Sequence, residues 1–207
     1  QTAFVERLEA WLLRDDKDKF VADLVKNTAE DFKLNSEEFV FEILLKTGRL
    51  PTTADRDVMV ARLKPDFSVP INDAAKAVQP WLPKDQQTIM ELFFSIDDEE
   101  TREVDDALAI KREGDQWQIT IAISDPASVV HRGDVLDREA MRRGTTVYLP
   151  TQTVLMLPEP VSCDIASLTA GQVRSAIVVR AWLDDQGQLT QSNISREAIC
   201  VRQRLHY

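Results

Sequence analysis

The chain has 207 residues, of which 43% are hydrophobic and 29% charged, so it is neither disordered nor fibrous and can bury a core without disulfides or a structural metal. Two cysteines and two histidines, scattered along the sequence, exclude a zinc finger, a disulfide scaffold and a three-histidine zinc site. The net charge of -10 argues against a protein that coats nucleic acid through bulk electrostatics.

Helical periodicity dominates the first part of the chain. Two apolar stripes predict two helices: Phe4, Leu8, Trp11 and Leu12, then Phe20, Leu24 and Val25. A third helix is predicted after Asn35, a good N-cap residue. Glu38 completes a capping-box pattern there, and Gly48 stands where a glycine commonly ends a helix.

Prolines divide the next stretch, in which residues 54–63 and 83–92 are predicted to form short helices. We therefore expect a small helical domain over residues 1–92, with a helix-turn-helix arrangement as one candidate. These residues include 13 basic and 17 acidic side chains and no basic stripe, so a packing or spacer role is favoured over docking to nucleic acid.

After Phe93 the period changes from helical to alternating. Trp117, Ile119, Ile121 and Ile123 alternate with polar or small residues, which predicts a strand with one buried face. Residues 107–111, before the turn at Gly114, are expected to form its hairpin partner.

The rest of this region mixes helix and strand. Residues 135–143 fit a helix that stops at Gly144, and residues 176–183 and 193–201 fit two strands joined by a turn at 184–187. The order of elements predicts an α+β fold, with the helical domain followed by a second domain over residues 93–207.

Targeting signals are not visible in the sequence. No apolar run approaches the ~18 residues that span a bilayer, and the chain opens at Gln1 without a basic and apolar signal sequence. We therefore expect no membrane association and a cytoplasmic, reducing compartment. The missing initiator Met also indicates a trimmed chain.

One segment concentrates negative charge. Seven of the ten residues from Asp97 to Asp106 are carboxylates, and apolar stretches flank them on both sides. Carboxylates held at the ends of two buried strands repel one another unless a cation compensates them. With almost no His or Cys to offer, the segment favours Mg²⁺, or Mn²⁺ in its place, over Zn²⁺. A solvated acidic loop is the alternative, and an EF-hand fits poorly because its central glycine is absent.

At these residues the sequence resembles the RNB family, the catalytic domain of the RNase II and RNase R exoribonucleases. The segment from Ile96 to Leu108 is similar to the family signature, and three further motifs follow in the family's order. They are Ile123-Ser124-Asp125-Pro126, Thr146-Val147-Tyr148-Leu149-Pro150, and Met156-Leu157-Pro158-Glu159 with Ser167-Leu168 and Arg174 after it. Ordered motifs over about 80 residues are more specific than an acidic cluster alone.

The resemblance implies a Mg²⁺-dependent, two-metal hydrolysis of single-stranded RNA from its 3′ end, releasing nucleoside 5′-monophosphates. It implies that the metal ligands are Asp97, Glu103, Asp105 and Asp106, with Asp105 as the catalytic carboxylate that the chemistry needs most. The bacterial enzymes of the family usually carry Asp where Glu103 stands. Its longer side chain can still reach an ion.

Tyr148 matches the family tyrosine that stacks on a base near the 3′ end of the RNA, a contact that needs an aromatic face but no sequence readout. Pattern alone is equally consistent with a core tyrosine beside Leu149, and the motif match favours the RNA contact. Asp125, before Pro126 at a strand end, is expected to be a cap or turn former that supports the site, and residues 156–158 are expected to be structural.

The resemblance covers residues 93–207, the N-terminal portion of the family's catalytic domain. In the family, the part beyond it carries a catalytic Glu, an Arg that stabilises the transition state and a C-terminal OB-fold that binds RNA. We therefore expect a fragment of a larger exoribonuclease, nearly inactive alone, whose partners are single-stranded RNA and the remainder of the parent chain. The helical N-terminus resembles the subgroup with a helix-turn-helix segment rather than the cold-shock domains of RNase II and RNase R.

Two other interpretations stay open. A degenerate RNB module would bind RNA or a protein partner without cleavage, which Glu103 and the acidic surface favour, whereas the presence of Asp97, Asp105, Asp106 and Tyr148 argues against it. An acidic protein-interaction domain would explain neither the apolar flanks of the acidic segment nor the downstream motifs.

Overall fold

The computed structural model describes residues 2–14, 18–82 and 91–207, and these form an α+β fold, which confirms the predicted class. The helices are α1 (Thr2–Arg14), α2 (Lys19–Asp31), α3 (Ser36–Lys46), α4 (Arg56–Val60), α5 (Val69–Ala77) and α6 (Val135–Arg143). The strands are β1 (Phe93–Ile96), β2 (Asp106–Glu113), β3 (Gln116–Ser124), β4 (Val147–Tyr148), β5 (Thr153–Val154), β6 (Val173–Leu183) and β7 (Leu189–Leu205). Within the described part of the chain, every helix falls short of the length and apolarity that a membrane span requires.

The chain divides into two compact units. The first comprises residues 1–66 and 147–154, and the second comprises residues 67–146 and 155–207. This division differs from the predicted ranges 1–92 and 93–207, because α5 lies with the second unit: its Ile71 and Ala75 share a core with Leu136 of α6. Whether the predicted ranges behave as independent domains stays a prediction.

Helices α1 to α4 form the core of the first unit around Leu8, Val25, Val40 and Leu44. The predicted stripe of α2 is only partly right, since Phe20 is 65% exposed. The buried stripe consists of Val21, Val25 and Ala29, which repeat every fourth residue and so follow one face of the helix.

Local capping explains α3. The Asn35 side chain accepts a hydrogen bond from the backbone N–H of Glu38 at 2.8 Å, as the capping pattern predicted. After the helix, Gly48 has φ of 70°, a left-handed conformation that glycine adopts without steric cost, and the Arg49 N–H then bonds the Leu44 carbonyl at 2.9 Å.

The proline-rich stretch contains one helix that was not predicted, and one predicted helix there is left untested over most of its length. The structure contains α5, which the sequence reasoning missed because Pro70 was taken as a breaker; Pro70 lies in the first turn, where its missing N–H costs nothing. The predicted helix over 83–92 lies outside the described residues except for Glu91 and Leu92, which are not helical.

Five strands of the second unit close into a barrel in the order β1-β2-β3-β6-β7. Strand β1 runs parallel to β7, and the other neighbours are antiparallel. The two predicted hairpins are confirmed, β2 with β3 and β6 with β7; at the second turn the Asp184 N–H bonds the Gln188 carbonyl at 3.0 Å. Strands β4 and β5 pair separately, as a small hairpin that belongs to the first unit.

The barrel interior is filled mostly by small side chains. Its buried cluster contains Phe93, Val104, Ala107, Ala109, Ala122, Leu168, Ala176, Val178, Ile199 and Val201. A barrel of about eight strands has an interior just wide enough to be filled by side chains. A barrel of five strands is narrower, so its interior holds small side chains such as alanine. The buried face of β3 is consequently Gln118, Thr120 and Ala122, whereas Trp117 and Ile123 on its apolar face are each 42% exposed.

Acid sensitivity is predicted for α6. Glu139 accepts hydrogen bonds from Arg142 Nε at 2.8 Å and Arg143 Nε at 2.7 Å, and the Arg142 guanidinium foremost lowers the pKa of Glu139 to about 2. Because this pKa lies below that of the unfolded chain, the stabilisation is fully present above the ordinary pKa of 4.5 and is lost as the pH falls toward about 2.

We expect Glu139→Gln to lower the free energy of unfolding by about 1–3 kcal/mol at pH 7 and by clearly less at pH 3, because a charged hydrogen-bond acceptor is removed. Urea unfolding at the two pH values measures the difference. An equal loss at both pH values would show that the charge of Glu139 contributes nothing.

Candidate active site

The acidic segment forms the loop that joins β1 to β2 at one end of the barrel. Backbone hydrogen bonds tie it at both ends: the Asp97 N–H donates to Leu205 at 3.1 Å, and the Asp105 carbonyl accepts from the Ser124 N–H at 2.7 Å. Between them, Val104 packs into the barrel core and donates its N–H to the Ser167 hydroxyl at 3.0 Å. The carboxylates are therefore carried by an anchored loop rather than by a free acidic tail.

Arg204 of β7 holds the middle of this loop. Its Nη2 donates to the carbonyl oxygens of Asp98 and Thr101, both at 2.7 Å. Its Nε lies 4.0 Å from Oδ2 of Asp97, and both of these buried atoms lack a hydrogen-bond partner. The Asp97 oxygen thus forms a long ion pair with Arg204 but accepts no hydrogen bond.

Asp105 is the predicted acid whose pKa is shifted by its surroundings. Ser124 donates its hydroxyl hydrogen to Asp105 Oδ1 at 3.0 Å, which orients the carboxylate. Partial desolvation is the main cause that raises the pKa of Asp105, and the neighbouring carboxylates of Glu103, Asp106 and Asp97 raise it further, while the Ser124 bond lowers it. The charges of the other three predicted acids therefore act on Asp105.

A divalent cation suits these residues in chemical kind. Carboxylate oxygens are the ligands that Mg²⁺ prefers, a cation would relieve the repulsion around Asp105, and Asp97 Oδ2 has no competing hydrogen bond. However, no three Asp, Glu, His or Cys side chains of the described residues converge tightly enough to form a metal-binding group. The assignment of Asp97, Glu103, Asp105 and Asp106 as metal ligands stays a prediction.

Glu103 points toward the segment that follows α6. The Thr146 hydroxyl donates to Glu103 Oε1 at 3.3 Å and accepts a hydrogen bond from the Met156 N–H at 3.0 Å. The motif at residues 146–150 thus connects to the acidic loop through Thr146. In the next motif, Leu157 is buried, which agrees with a structural role for residues 156–158.

Asp125 has a structural environment. Its carboxylate is 4% exposed and binds Arg196 Nε at 2.8 Å and the Ser175 hydroxyl at 3.1 Å. Its carbonyl accepts the Ser128 N–H at 3.0 Å, so the backbone forms the predicted turn, whereas the buried carboxylate pairs with the partly exposed Arg196 instead of forming a cap. Such a pair holds β3, β6 and β7 together next to the loop.

Tyr148 lies on the β4–β5 hairpin, which belongs to the first compact unit, and its side chain is 66% exposed. An exposed side chain on a short hairpin is not the core tyrosine that pattern alone allowed.

Sequence reasoning missed two residues of the site. Ser124 stands inside the second motif, so its position next to Asp125 was a usable signal. Arg204 lies in no motif; it reaches the loop only because β1 pairs with β7, more than a hundred residues further along the chain.

Comparisons with known proteins agree with these features. Residues 86–207 match the family model described as the RNB domain, a start slightly before the predicted boundary at Phe93. An exoribonuclease 2 from Aeromonas hydrophila is 38% identical over 99 residues, covering 48% of this chain and 15% of that protein. An exoribonuclease 2 from Psychromonas ingrahamii is 32% identical over 175 residues, covering 81% of this chain and 26% of that protein.

A solved structure shares the fold. RNase R from Mycoplasma genitalium, in complex with ribose-methylated single-stranded RNA, matches with a TM-score of 0.67 at 24% identity, covering 72% of this chain and 24% of that one. The chain therefore spans about a quarter or less of the length of these proteins. Because the family model matches more than half of its residues, the chain belongs to the RNB domain family, together with exoribonucleases of the RNase II and RNase R type.

Proposed function

We propose that the full-length parent of this chain is a 3′-to-5′ exoribonuclease that hydrolyses single-stranded RNA to nucleoside 5′-monophosphates with Mg²⁺, or with Mn²⁺ in its place. The observation that carries the proposal is the anchored acidic loop of an RNB domain, in which burial first and neighbouring carboxylates second raise the pKa of Asp105. Nucleases of the RNase II family generally depend on divalent metal ions.

Within this proposal, Asp97, Glu103, Asp105 and Asp106 hold the ions. Bound divalent ions supply polarisation of the scissile phosphate, a lowered pKa of the attacking water and stabilisation of the leaving oxygen. Ser124 keeps the Asp105 carboxylate in one orientation through its 3.0 Å hydrogen bond. Arg204 holds the loop backbone, so that the carboxylates stay close despite their mutual repulsion.

Tyr148 serves the RNA in this proposal. Its exposed ring offers an aromatic face on which a base near the 3′ end stacks, without sequence readout. The catalytic Glu, the transition-state Arg and the OB-fold surface that the family resemblance implies would come from the rest of the parent chain. The negative charge of this chain then belongs in part to the metal site.

The parent is expected to shorten a 5′-labelled oligoribonucleotide in Mg²⁺ or Mn²⁺ and to stop when EDTA is added, whereas the 207-residue chain alone is expected to be nearly inactive. Gel analysis of the labelled products measures both. Persistence of the full-length label with the parent in either metal would contradict the proposal. Strong exonuclease activity of the short chain would contradict only the dependence on the missing part.

A second function, binding without cleavage by a degenerate RNB module, is supported by the finding that no three potential ligands converge within the described residues. Glu103 in place of the usual Asp favours the same alternative. Titration of the parent with Mn²⁺ separates the two functions. Only the enzyme requires a bound ion, and in that case Asp105→Asn should weaken Mn²⁺ binding.

A further inference from the structure

The β4–β5 hairpin carries Tyr148. It belongs to a different compact unit from the residues that precede and follow it in the chain. Residues 147–154 group with residues 1–66, whereas the residues just before and after them belong to the barrel unit. The helical region therefore contacts the hairpin that carries Tyr148, the candidate RNA-binding residue. The sequence had favoured only a packing or spacer role for this region.

Asp55 hydrogen-bonds the turn of this hairpin through its carboxylate. Its Oδ2 accepts hydrogen bonds from Gln152 Nε2 at 3.0 Å and from the Thr151 hydroxyl. Its Oδ1 accepts the backbone N–H groups of Asp57 at 2.9 Å and Val58 at 3.1 Å, which caps α4. Both oxygens are used, one for the helix and one for the hairpin.

The charge of this carboxylate is secure at neutral pH. The hydroxyl of Thr151 first, then the amide of Gln152 and the two backbone N–H groups, lower the pKa of Asp55 to about 2. An ionised acceptor forms stronger hydrogen bonds than a neutral one. The carboxylate is therefore an ionised acceptor at the near-neutral pH of RNA-binding experiments.

Both sides of the contact are themselves anchored. On the helical side, Val58 of α4 is buried, and Met59 and Val60 pack against the core of α1 to α3. On the hairpin side, Thr151 and Gln152 lie in the turn that the Leu149 N–H closes onto the Gln152 carbonyl at 2.9 Å. This turn joins directly to the pair between Tyr148 and Thr153.

The hairpin presents two different faces. Val154, opposite Val147 in the register, is 4% exposed, whereas Tyr148, opposite Thr153, is 66% exposed. A two-stranded hairpin of this length is at best marginally stable alone. Contacts that hold the turn therefore contribute to the position of the hairpin and of the exposed Tyr148 that it carries.

We propose that Asp55 is a positioning residue: through Thr151 and Gln152 it fastens the β4–β5 hairpin to the helical unit and thereby fixes how Tyr148 presents its ring to RNA. This inference rests on the proposed function, in which Tyr148 stacks on a base. An ordered ring does not lose its freedom again when RNA binds, so the anchored hairpin binds more tightly than a loose one.

The test uses the full-length parent in an Asp105→Asn background, so that RNA is not consumed. Thr151→Ala with Gln152→Ala removes both hairpin donors and leaves the cap of α4 intact. Asp57→Asn is the matched control, because the Asp57 carboxylate bonds Arg56 instead of the hairpin. Fluorescence anisotropy with a labelled oligoadenylate measures the affinity.

We expect Tyr148→Ala to weaken binding about fivefold or more, the loss of one stacked base. The affinity of the hairpin double variant for RNA should fall about three- to tenfold, since this variant keeps the Tyr148 ring but not its orientation. In the Tyr148→Ala background the double variant should cause no further loss. A purely structural role would instead give the same loss with and without the tyrosine.

Hydrogen exchange provides a readout independent of RNA. The amide of Leu149 should exchange about tenfold or more faster in the double variant, while amides of α3 keep their protection, because only the hairpin loosens. Unchanged exchange at Leu149 would overturn the anchoring itself. Faster exchange with unchanged affinity, while Tyr148→Ala still weakens binding, would overturn the positioning role.

The RNA role of Tyr148 and the positioning role of Asp55 are contradicted by different results. If Tyr148→Ala binds RNA as well as the parent, the RNA role of Tyr148 is wrong and the positioning role falls with it, whatever the exchange data show. If only the double variant binds normally, the proposed function stands and Asp55 has no positioning role.

Discussion

Asp105→Asn in the full-length parent is expected to reduce the rate of 3′-end shortening at least about a hundredfold, because changes that merely support a metal ligand already cost roughly 10–100-fold. Asp105 stands where three other acids approach, and its carboxylate is oriented by Ser124. The asparagine has nearly the same shape, so the loss reports the charge and the second oxygen rather than the fold.

The rate is measured with a 5′-labelled oligoribonucleotide under single-turnover conditions. Asp115→Asn is the matched control, since Asp115 is an exposed residue in the turn between β2 and β3, at the opposite end of these strands. The control should shorten RNA at the parent's rate. A rate for Asp105→Asn within a few-fold of the parent would rule out Asp105 as the catalytic carboxylate.

Arg180→Met in the 207-residue chain is expected to lower the free energy of unfolding by about 3–5 kcal/mol, since it leaves buried carboxylates without a counter-charge. Arg180 pairs with Thr120 across β3 and β6 and follows the fully buried Val178 by two residues, so its side chain enters the barrel. Inside, it binds Glu197 with both Nη atoms, at 2.6 and 2.8 Å, and Glu91 at 3.3 Å.

Urea unfolding followed by circular dichroism measures this loss. Arg112→Met is the control, because the Arg112–Asp185 pair is about half exposed and should contribute about 1 kcal/mol or less. Replacing Glu91 and Glu197 by Leu together with Arg180→Met should recover much of the stability, since no unpaired charge then remains. Equal losses for Arg180→Met and Arg112→Met would mean that the barrel interior tolerates unpaired charge.

Elements with strong local signals were predictable from the sequence. Helices α3 and α6 begin at Asn35 and Asp134, whose side chains cap them, and α6 ends at Gly144 with φ of 79°. The hairpin of β2 and β3 follows from alternation and a glycine turn. These features depend on residues a few positions apart, which a single sequence displays directly.

The candidate site was predictable only in part. The acidic loop is contiguous in the chain, so its composition and the family motifs pointed to it. Ser124 was not assigned although it stands inside a motif, and Arg204 was not assigned because its contacts depend on the pairing of β7 with β1. Long-range pairing leaves no local pattern at the residues that it joins.

By itself, the sequence determined an α+β chain with a helical first part, the position of the acidic segment and membership of the RNB family. Only the tertiary structure decided which face of β3 lies inside, because the narrow closed barrel admits Ala122 and Thr120 but leaves Trp117 and Ile123 outside. It also decided that the Tyr148 hairpin joins the helical unit, since the bonds from Thr151 and Gln152 to Asp55 span almost a hundred residues.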